Sequence, residues 1–285
     1  MAETLHISTY PKLQSVAESD KMPLVLIHGW GLNSAVWQPL IDNMSDEVTN
    51  VFTLVTIDLP GFGLNVSKEL HTYSLANICQ HITNTITQPA IYLGWSLGGL
   101  VATELALSHP DKVLALITVA SSPRFVEESV EQGVTNVVKW PGIKAKVLEA
   151  FHQQLQVDTK KTISGFLKIQ AMGSPHLRQN IKEITQLIFQ HDMANKSTLE
   201  KSLKLLEISD YRAKIANISQ PFFRLYGSAD SLIPKAVIEK ISQLAPNSEQ
   251  YVFKQASHAP FISHADDFRK VLSKWLLAVA SNHFT

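Results

Sequence analysis

Six short apolar runs, most of them rich in β-branched residues, recur along this chain with helical patterns between them. That alternation constrains the fold more than any other feature. The runs are Pro23 to His28 (PLVLIH), Phe52 to Asp58 (FTLVTID), Ala90 to Gly94 (AIYLG), Val113 to Ala120 (VLALITVA), Phe222 to Tyr226 (FFRLY) and Gln250 to Phe253 (QYVF). Nearly continuous apolar character is what a strand needs when both faces of its sheet are covered, so the runs predict a mostly parallel sheet flanked by helices. Helices are expected after Ser74, Ser96, Pro234 and Ala265, each near a cap or early-turn residue. The fold class is therefore α/β.

From about Ser121 to Ser209 the strand-like runs give way to helical segments such as KAKVLEAFHQQL, TKKTISGFLKIQAM and RQNIKEITQLIFQ. This predicts an all-helical cap over residues 121–209, inserted between a first core segment (1–120) and a second (210–285). The chain has no internal repeat. At 285 residues it can bury a substantial core.

Lys plus Arg equals Asp plus Glu at 25 each, so overall charge does not drive the chain onto nucleic acid. Locally the balance differs. Between Lys139 and Lys182 stand Lys139, Lys144, Lys146, Lys160, Lys161, Lys168, Arg178 and Lys182, against only Glu149 and Asp158. A basic stretch of this kind is either a solvated helical face or a surface that speeds encounter with an anionic partner. The first residues lack a basic segment followed by an apolar one, and no run reaches the roughly 18 apolar residues of a membrane span, so a cytoplasmic location is expected. The single cysteine, Cys79, can form neither an internal disulfide nor a zinc cluster and is expected as a small buried hydrophobe.

The stretch IYLGWSLGG carries Gly-x-Ser-x-Gly between a predicted strand and a predicted helix. In such an elbow the serine is held in a strained conformation at the carboxyl end of the sheet, beside the positive end of the next helix. The bland reading is a serine that caps the helix; the sharper one is a nucleophile, Ser96. A serine hydroxyl needs a base to take its proton and an acid to orient that base. The expected chain order is Ser, then Asp or Glu after a later strand, then His after the last strand. Asp230 in YGSADSLIP and His258 in KQASHAPFISH stand at those places. Glu127 and Glu128 are rival acids and His264 a rival base. Asp266 and Asp267 read as the acidic first turn of a helix, and Asp58 as the brace of its own turn.

HGWGLN, His28 to Asn33, follows the first predicted core strand, where half of an oxyanion hole is expected. The backbone N–H groups of Trp30 and Leu97 are the candidate donors, and His28 reads as a structural histidine. H-E-x-x-H, a phosphate loop ending in Lys-Ser/Thr and a G-x-G-x-x-G after the first strand are all missing from the sequence. Neither a metal nor a cofactor is expected.

Taken together, HGWGLNSAVW, DLPGFG, IYLGWSLGGLVA, LITVASSP, WPGIKAKVLEAFHQQL, FLKIQAMG and SHAPFISH resemble the pimeloyl-acyl-carrier-protein methyl ester esterases of biotin synthesis, within the α/β-hydrolase superfamily. The resemblance spans about Pro23 to Leu277. It implies an α/β-hydrolase fold with a helical cap, and a carboxylesterase that demethylates a pimeloyl methyl ester carried on acyl carrier protein. Ser96, Asp230 and His258 match the triad of that family, and Trp30 and Leu97 its oxyanion positions. The resemblance further implies substrate contacts at Trp30, Trp95, Ser96, Leu97, Phe166, Leu167, Lys168, Ile169, Gln170 and His258. It implies carrier docking at Lys161, Arg178 and Lys182. Gly165 stands where another basic residue is expected, and two of the docking positions hold Lys where Arg is usual; Lys is a point charge and not a bidentate fork. A monomer is the expected state, with neither nucleic acid nor membrane as partner. The same triad would also serve a short-chain esterase, a thioesterase or a carbon–carbon bond hydrolase, and a non-catalytic binding protein of the same fold is a more remote reading.

Overall fold

The structure is a computed structural model and describes residues 3–13, 16, 19–132, 135–171 and 177–283. Nine strands are assigned among these: β1 (Ile7–Tyr10), β2 (Met22–Ile27), β3 (Phe52–Ile57), β4 (Ala90–Trp95), β5 (Val113–Val119), β6 (Glu128–Gln132), β7 (Thr135–Trp140), β8 (Phe222–Gly227) and β9 (Glu249–Phe253). Seven form one sheet in the order β1-β3-β2-β4-β5-β8-β9, in which β1 runs antiparallel to β3 and all other pairs are parallel. All six predicted runs are strands of this sheet. Every residue of β2, β3, β4 and β8 is buried, as their apolar runs require. β9 is the exception, because it pairs on one side only and leaves four of its five residues exposed.

The helices of the core are α1 (Gln38–Asp42), α2 (Asp46–Thr49), α3 (Leu75–Thr85) and α4 (Leu97–Ser108), then, after the insertion, α9 (Lys235–Leu244), α10 (Pro260–Ser263) and α11 (Ala265–His283). Ser74 caps α3 through a hydrogen bond from the Asn77 N–H, as its position suggested. Buried on the inner face of α3 is Cys79.

The insertion corrects one expectation, because it is not all helical. It opens with a two-stranded antiparallel hairpin, β6 against β7, before α5 (Ala145–Val157), α6 (Thr159–Ala171), α7 (Leu177–Ile188) and α8 (Lys196–Ile208). The hairpin runs are short and mixed with charge, so their period was hidden. Gly133 between two Val-containing runs was the available signal.

Where the insertion leaves and rejoins the sheet, its two connections are tied together. The Tyr211 N–H donates to the Pro123 carbonyl at 2.8 Å, Arg124 pairs with Asp210 at 3.2 Å, and Arg212 pairs with Glu128 at 2.7 Å. Over the sheet, the indole of Trp30 donates to the Leu199 carbonyl of α8 at 3.0 Å and the Asn33 amide to the Ile188 carbonyl of α7 at 2.8 Å. The cap is thus fastened to the loop after β2.

Candidate active site

β2 has β3 on one side and β4 on the other, so the chain leaves it in opposite directions and opens a crevice at the carboxyl ends of β2 and β4. The loop after β2 holds Gly29 and Trp30, and the turn after β4 holds Ser96. Ser96 has φ 55° and ψ −115°, a strained position for a residue with a side chain. It immediately precedes α4, yet its side chain makes no capping hydrogen bond. The bland reading of this serine is thereby removed.

What holds the elbow is close backbone packing. A Cβ on Gly94 would lie 2.1 Å from the Gly98 carbonyl oxygen, and one on Gly98 would lie 2.5 Å from the Ile27 carbonyl oxygen. Both positions of Gly-x-Ser-x-Gly therefore exclude any side chain. The Ser96 N–H donates to the Val119 carbonyl at 2.9 Å, and the Ser121 hydroxyl donates to the Ser96 carbonyl at 2.9 Å. Ser121 was not anticipated from the sequence. Its signal was the register of β4 on β5, which pairs Trp95 with Val119 and so brings the residues just beyond them side by side.

His258 and Asp230 meet after the last two strands of the sheet. Nδ1 of His258 lies 2.8 Å from Oδ2 of Asp230, with both side chains buried. The other carboxylate oxygen, Oδ1, accepts from the N–H groups of Leu232 and Ile233 at 2.8 and 3.0 Å. An oxygen pair so provided with donors stays an acceptor, which fixes the imidazole proton on Nδ1 and leaves the Nε2 lone pair free. Nε2 is buried and has no hydrogen-bond partner among the described residues. That arrangement presents a base without a proton to abstract until a hydroxyl is offered to it.

The rivals are engaged elsewhere. Asp58 accepts from the N–H groups of Ser34 at 2.6 Å and Leu64 at 2.8 Å, bracing its turn. His28 donates from Nδ1 to the Gly29 carbonyl and accepts at Nε2 from the Leu59 N–H, and burial holds its pKa below the ordinary histidine range. Glu128 faces Arg212, Glu127 accepts from Ser129, and His264 contacts the Ser263 hydroxyl ahead of α11, whose first turn carries Asp266 and Asp267.

Trp30 and Leu97 are fully buried. No loop or turn hydrogen bond uses either N–H among the described residues, and Leu97, as the first residue of α4, has no intrahelical partner for its own. Trp95 directs its indole N–H to the His258 carbonyl at 2.8 Å, so its ring supports the histidine loop.

From above, α6 covers the crevice with Phe166, Leu167 and Gln170, all buried. Phe166 packs edge-on against Trp30 at 4.9 Å and against Phe151 of α5 at 5.4 Å. Both amide atoms of Gln170 lack a partner among the described residues, and its backbone carbonyl accepts from the His258 N–H at 3.1 Å. Lys168, two positions along the helix from Phe166 and so turned through about 200° from it, is exposed. The side chains of Ile169 and Arg178 lie outside the described residues, although both belong to helices. Lys161 and Lys182 are exposed, on α6 and α7. The Cβ position of Gly165 meets no atom of the described residues within 4 Å. Among the described residues no helix is long and apolar enough to cross a membrane.

Comparison with solved structures finds the same architecture in an esterase from Exiguobacterium antarcticum, with a TM-score of 0.76, 18% identity, and 95% of this chain and 94% of that chain covered. The enol-lactonase from Burkholderia xenovorans LB400 is similar at a TM-score of 0.74, with 16% identity and 96% of each chain covered. A bromoperoxidase from Bacillus anthracis is similar at a TM-score of 0.74, with 18% identity, 90% of this chain and 92% of that chain covered. These likenesses speak for the fold. The sequence profile described as the alpha/beta hydrolase fold matches residues 22–265, and by that match the chain belongs to the alpha/beta hydrolase family.

Proposed function

We propose that this hydrolase is a serine carboxylesterase that removes the methyl group from a pimeloyl methyl ester carried on acyl carrier protein. The observation that carries the serine chemistry is Ser96 at a strained elbow without a capping role, in a site where His258 is oriented by Asp230 and keeps a free Nε2. In this reading Nε2 takes the Ser96 proton as Oγ attacks the ester carbonyl, and the N–H groups of Trp30 and Leu97 receive the developing oxyanion. The tetrahedral intermediate collapses, and methanol leaves with the proton from His258. Water, deprotonated by the same nitrogen, then hydrolyses the acyl-enzyme and frees the carboxylate and Ser96.

The substrate assignment rests on the sequence resemblance, with support from the cap. Phe166 and Leu167 give the crevice an apolar roof suited to an acyl chain, and Gln170 adds an amide with free donor and acceptor. Lys161, Arg178 and Lys182 are the proposed contacts for the acidic carrier.

The test is hydrolysis of pimeloyl-acyl-carrier-protein methyl ester by wild type and Ser96→Ala, with p-nitrophenyl butyrate in parallel. The reading expects wild type alone to cleave the carrier-bound ester, with kcat/KM well above that for the free ester and falling with salt. Cleavage of the free ester alone would keep the serine mechanism and remove the carrier assignment. Equal activity of Ser96→Ala would remove both.

A further inference from the structure

Two glycines follow Leu97 where Gly-x-Ser-x-Gly needs only one, and the second, Gly99, answers to a contact just beyond β5. A Cβ on Gly99 would lie 2.4 Å from the Ser121 Cβ and 2.5 Å from its hydroxyl oxygen. Gly99 thus makes room for Ser121, which is buried and donates its hydroxyl to the Ser96 carbonyl at 2.9 Å. The chain brings Ser121 there across a strained residue. Ala120 has φ 46°, in the left-handed region that a side chain disfavours, and is pinned by its N–H to the Leu225 carbonyl at 2.8 Å. The Ser96 carbonyl already accepts from the N–H groups of Gly99 at 3.0 Å and Leu100 at 3.3 Å, which fill its two lone pairs. Strain at 120 and a missing side chain at 99 therefore serve a hydrogen bond that the carbonyl does not need for its own sake.

That carbonyl shares its peptide unit with the Leu97 N–H. A trans peptide unit is planar and its C=O and N–H point in opposite directions, so a donor that fixes the one aims the other. The same construction recurs at the second candidate donor. The Trp30 N–H shares its peptide unit with the Gly29 carbonyl, to which Nδ1 of His28 donates at 2.8 Å. Burial keeps the His28 ring neutral, and its Nε2 accepts from the Leu59 N–H at 3.0 Å, so the ring proton sits on Nδ1. Among the described residues no other donor reaches the Gly29 carbonyl. Donation into a carbonyl also polarises its amide and strengthens the N–H at the other end.

We propose that Ser121 and His28 are positioning residues for the oxyanion hole, each holding by its carbonyl the peptide unit whose N–H, on Leu97 or Trp30, receives the negative oxygen. The inference rests on the serine mechanism proposed above and is independent of which ester the site cleaves. In this role neither side chain meets the substrate. Both act through the backbone, on the transition state and not on ground-state binding.

The test measures hydrolysis of p-nitrophenyl butyrate and its inhibition by n-butylboronic acid. Ser96 Oγ adds to boron, the serine proton passes to His258, and the anionic tetrahedral adduct places a boron-bound oxygen at the two N–H groups. Ser121→Ala should lower kcat about tenfold with KM within about twofold, a smaller loss than the roughly hundredfold to thousandfold that follows outright removal of an oxyanion donor. Its Ki for the boronate should rise by the same factor, while Tm falls little because the Ser96 carbonyl keeps its two backbone donors. His28→Gln, whose amide reaches the Nε2 position only, should lose kcat likewise, and His28→Asn, whose amide reaches the Nδ1 position, should recover most of that loss. Wild-type kcat and boronate affinity in Ser121→Ala would overturn the proposal, as would losses that track Tm while the boronate binds unchanged; equal losses in the two His28 variants would overturn it for His28. Absence of hydrolysis by wild type, or undiminished hydrolysis by Ser96→Ala, would instead remove the serine mechanism and the proposal with it. Should the His28 variants fail to fold, Ser121→Ala and the boronate decide the matter.

Discussion

The sheet and the cap solve different problems. Around the elbow, strands β2 and β4 are buried throughout, and glycines at 94 and 98 admit no Cβ. Over it, the cap helices are amphipathic, expose Lys161, Lys168 and Lys182, and at Gly165 leave open space. In the proposed reading the sheet holds the reacting groups, whereas the cap chooses what they meet. Errors in the first should cost rate, and changes in the second should redistribute substrates.

The sharpest way to break this division is within the core. Ser96→Ala should lower kcat by on the order of 10^4- to 10^6-fold on every ester, and Asp230→Asn by about 10^4-fold, with KM little changed. Single-turnover assays on carrier-bound and free esters check this. A variant that lost one substrate and kept the other would contradict it.

Phe166→Ala tests the cap. The ring is buried between Trp30 and Phe151, so its loss should cost about 3–5 kcal/mol of packing, read by denaturant unfolding. KM for the carrier-bound ester should rise about tenfold, while kcat for p-nitrophenyl butyrate changes less than threefold.

A pH experiment separates core stability from catalysis. Burial depresses the pKa of His28, so the folded chain resists protonating it while the unfolded chain takes the proton near the ordinary value of about 6.5. Its contribution is level above that pH, and stability falls as pH drops below it. The difference in slope between wild type and His28→Gln should reach at most about 1.4 kcal/mol per pH unit, measured by urea unfolding between pH 7 and 5.

The smallest expected effect sharpens the cap side. Gly165→Arg adds a cation on α6 at a position whose Cβ meets no described atom within 4 Å, and should raise kcat/KM for the carrier-bound ester by about two- to fivefold at low salt. Salt titration should erase the gain, and the free ester should show none.

Much of this was legible before any coordinates. The strands of the central sheet announce themselves because burial on both faces demands unbroken apolar runs, and Ser96, Asp230 and His258 stand at turns that such a sheet defines. β1 escaped because four residues before a proline, paired on one side, carry too little pattern. β6 and β7 escaped because their pairing is local and their composition mixed. Contacts such as Ser121 with Ser96, or Gln170 with His258, depend on register and on how the cap settles, which no spacing along the chain encodes.

One of those contacts bears on how freely such a cap can be exchanged. The carbonyl of Gln170 accepts the backbone N–H of His258, so the last turn of α6 helps to place the general base of the proposed reaction. A chimera that replaced the insertion with another to redirect specificity would remove that acceptor and leave a buried donor unpaired beside the imidazole. Specificity and base alignment are therefore inherited together, and a grafted cap has to supply a carbonyl at that one point before the borrowed pocket can be judged.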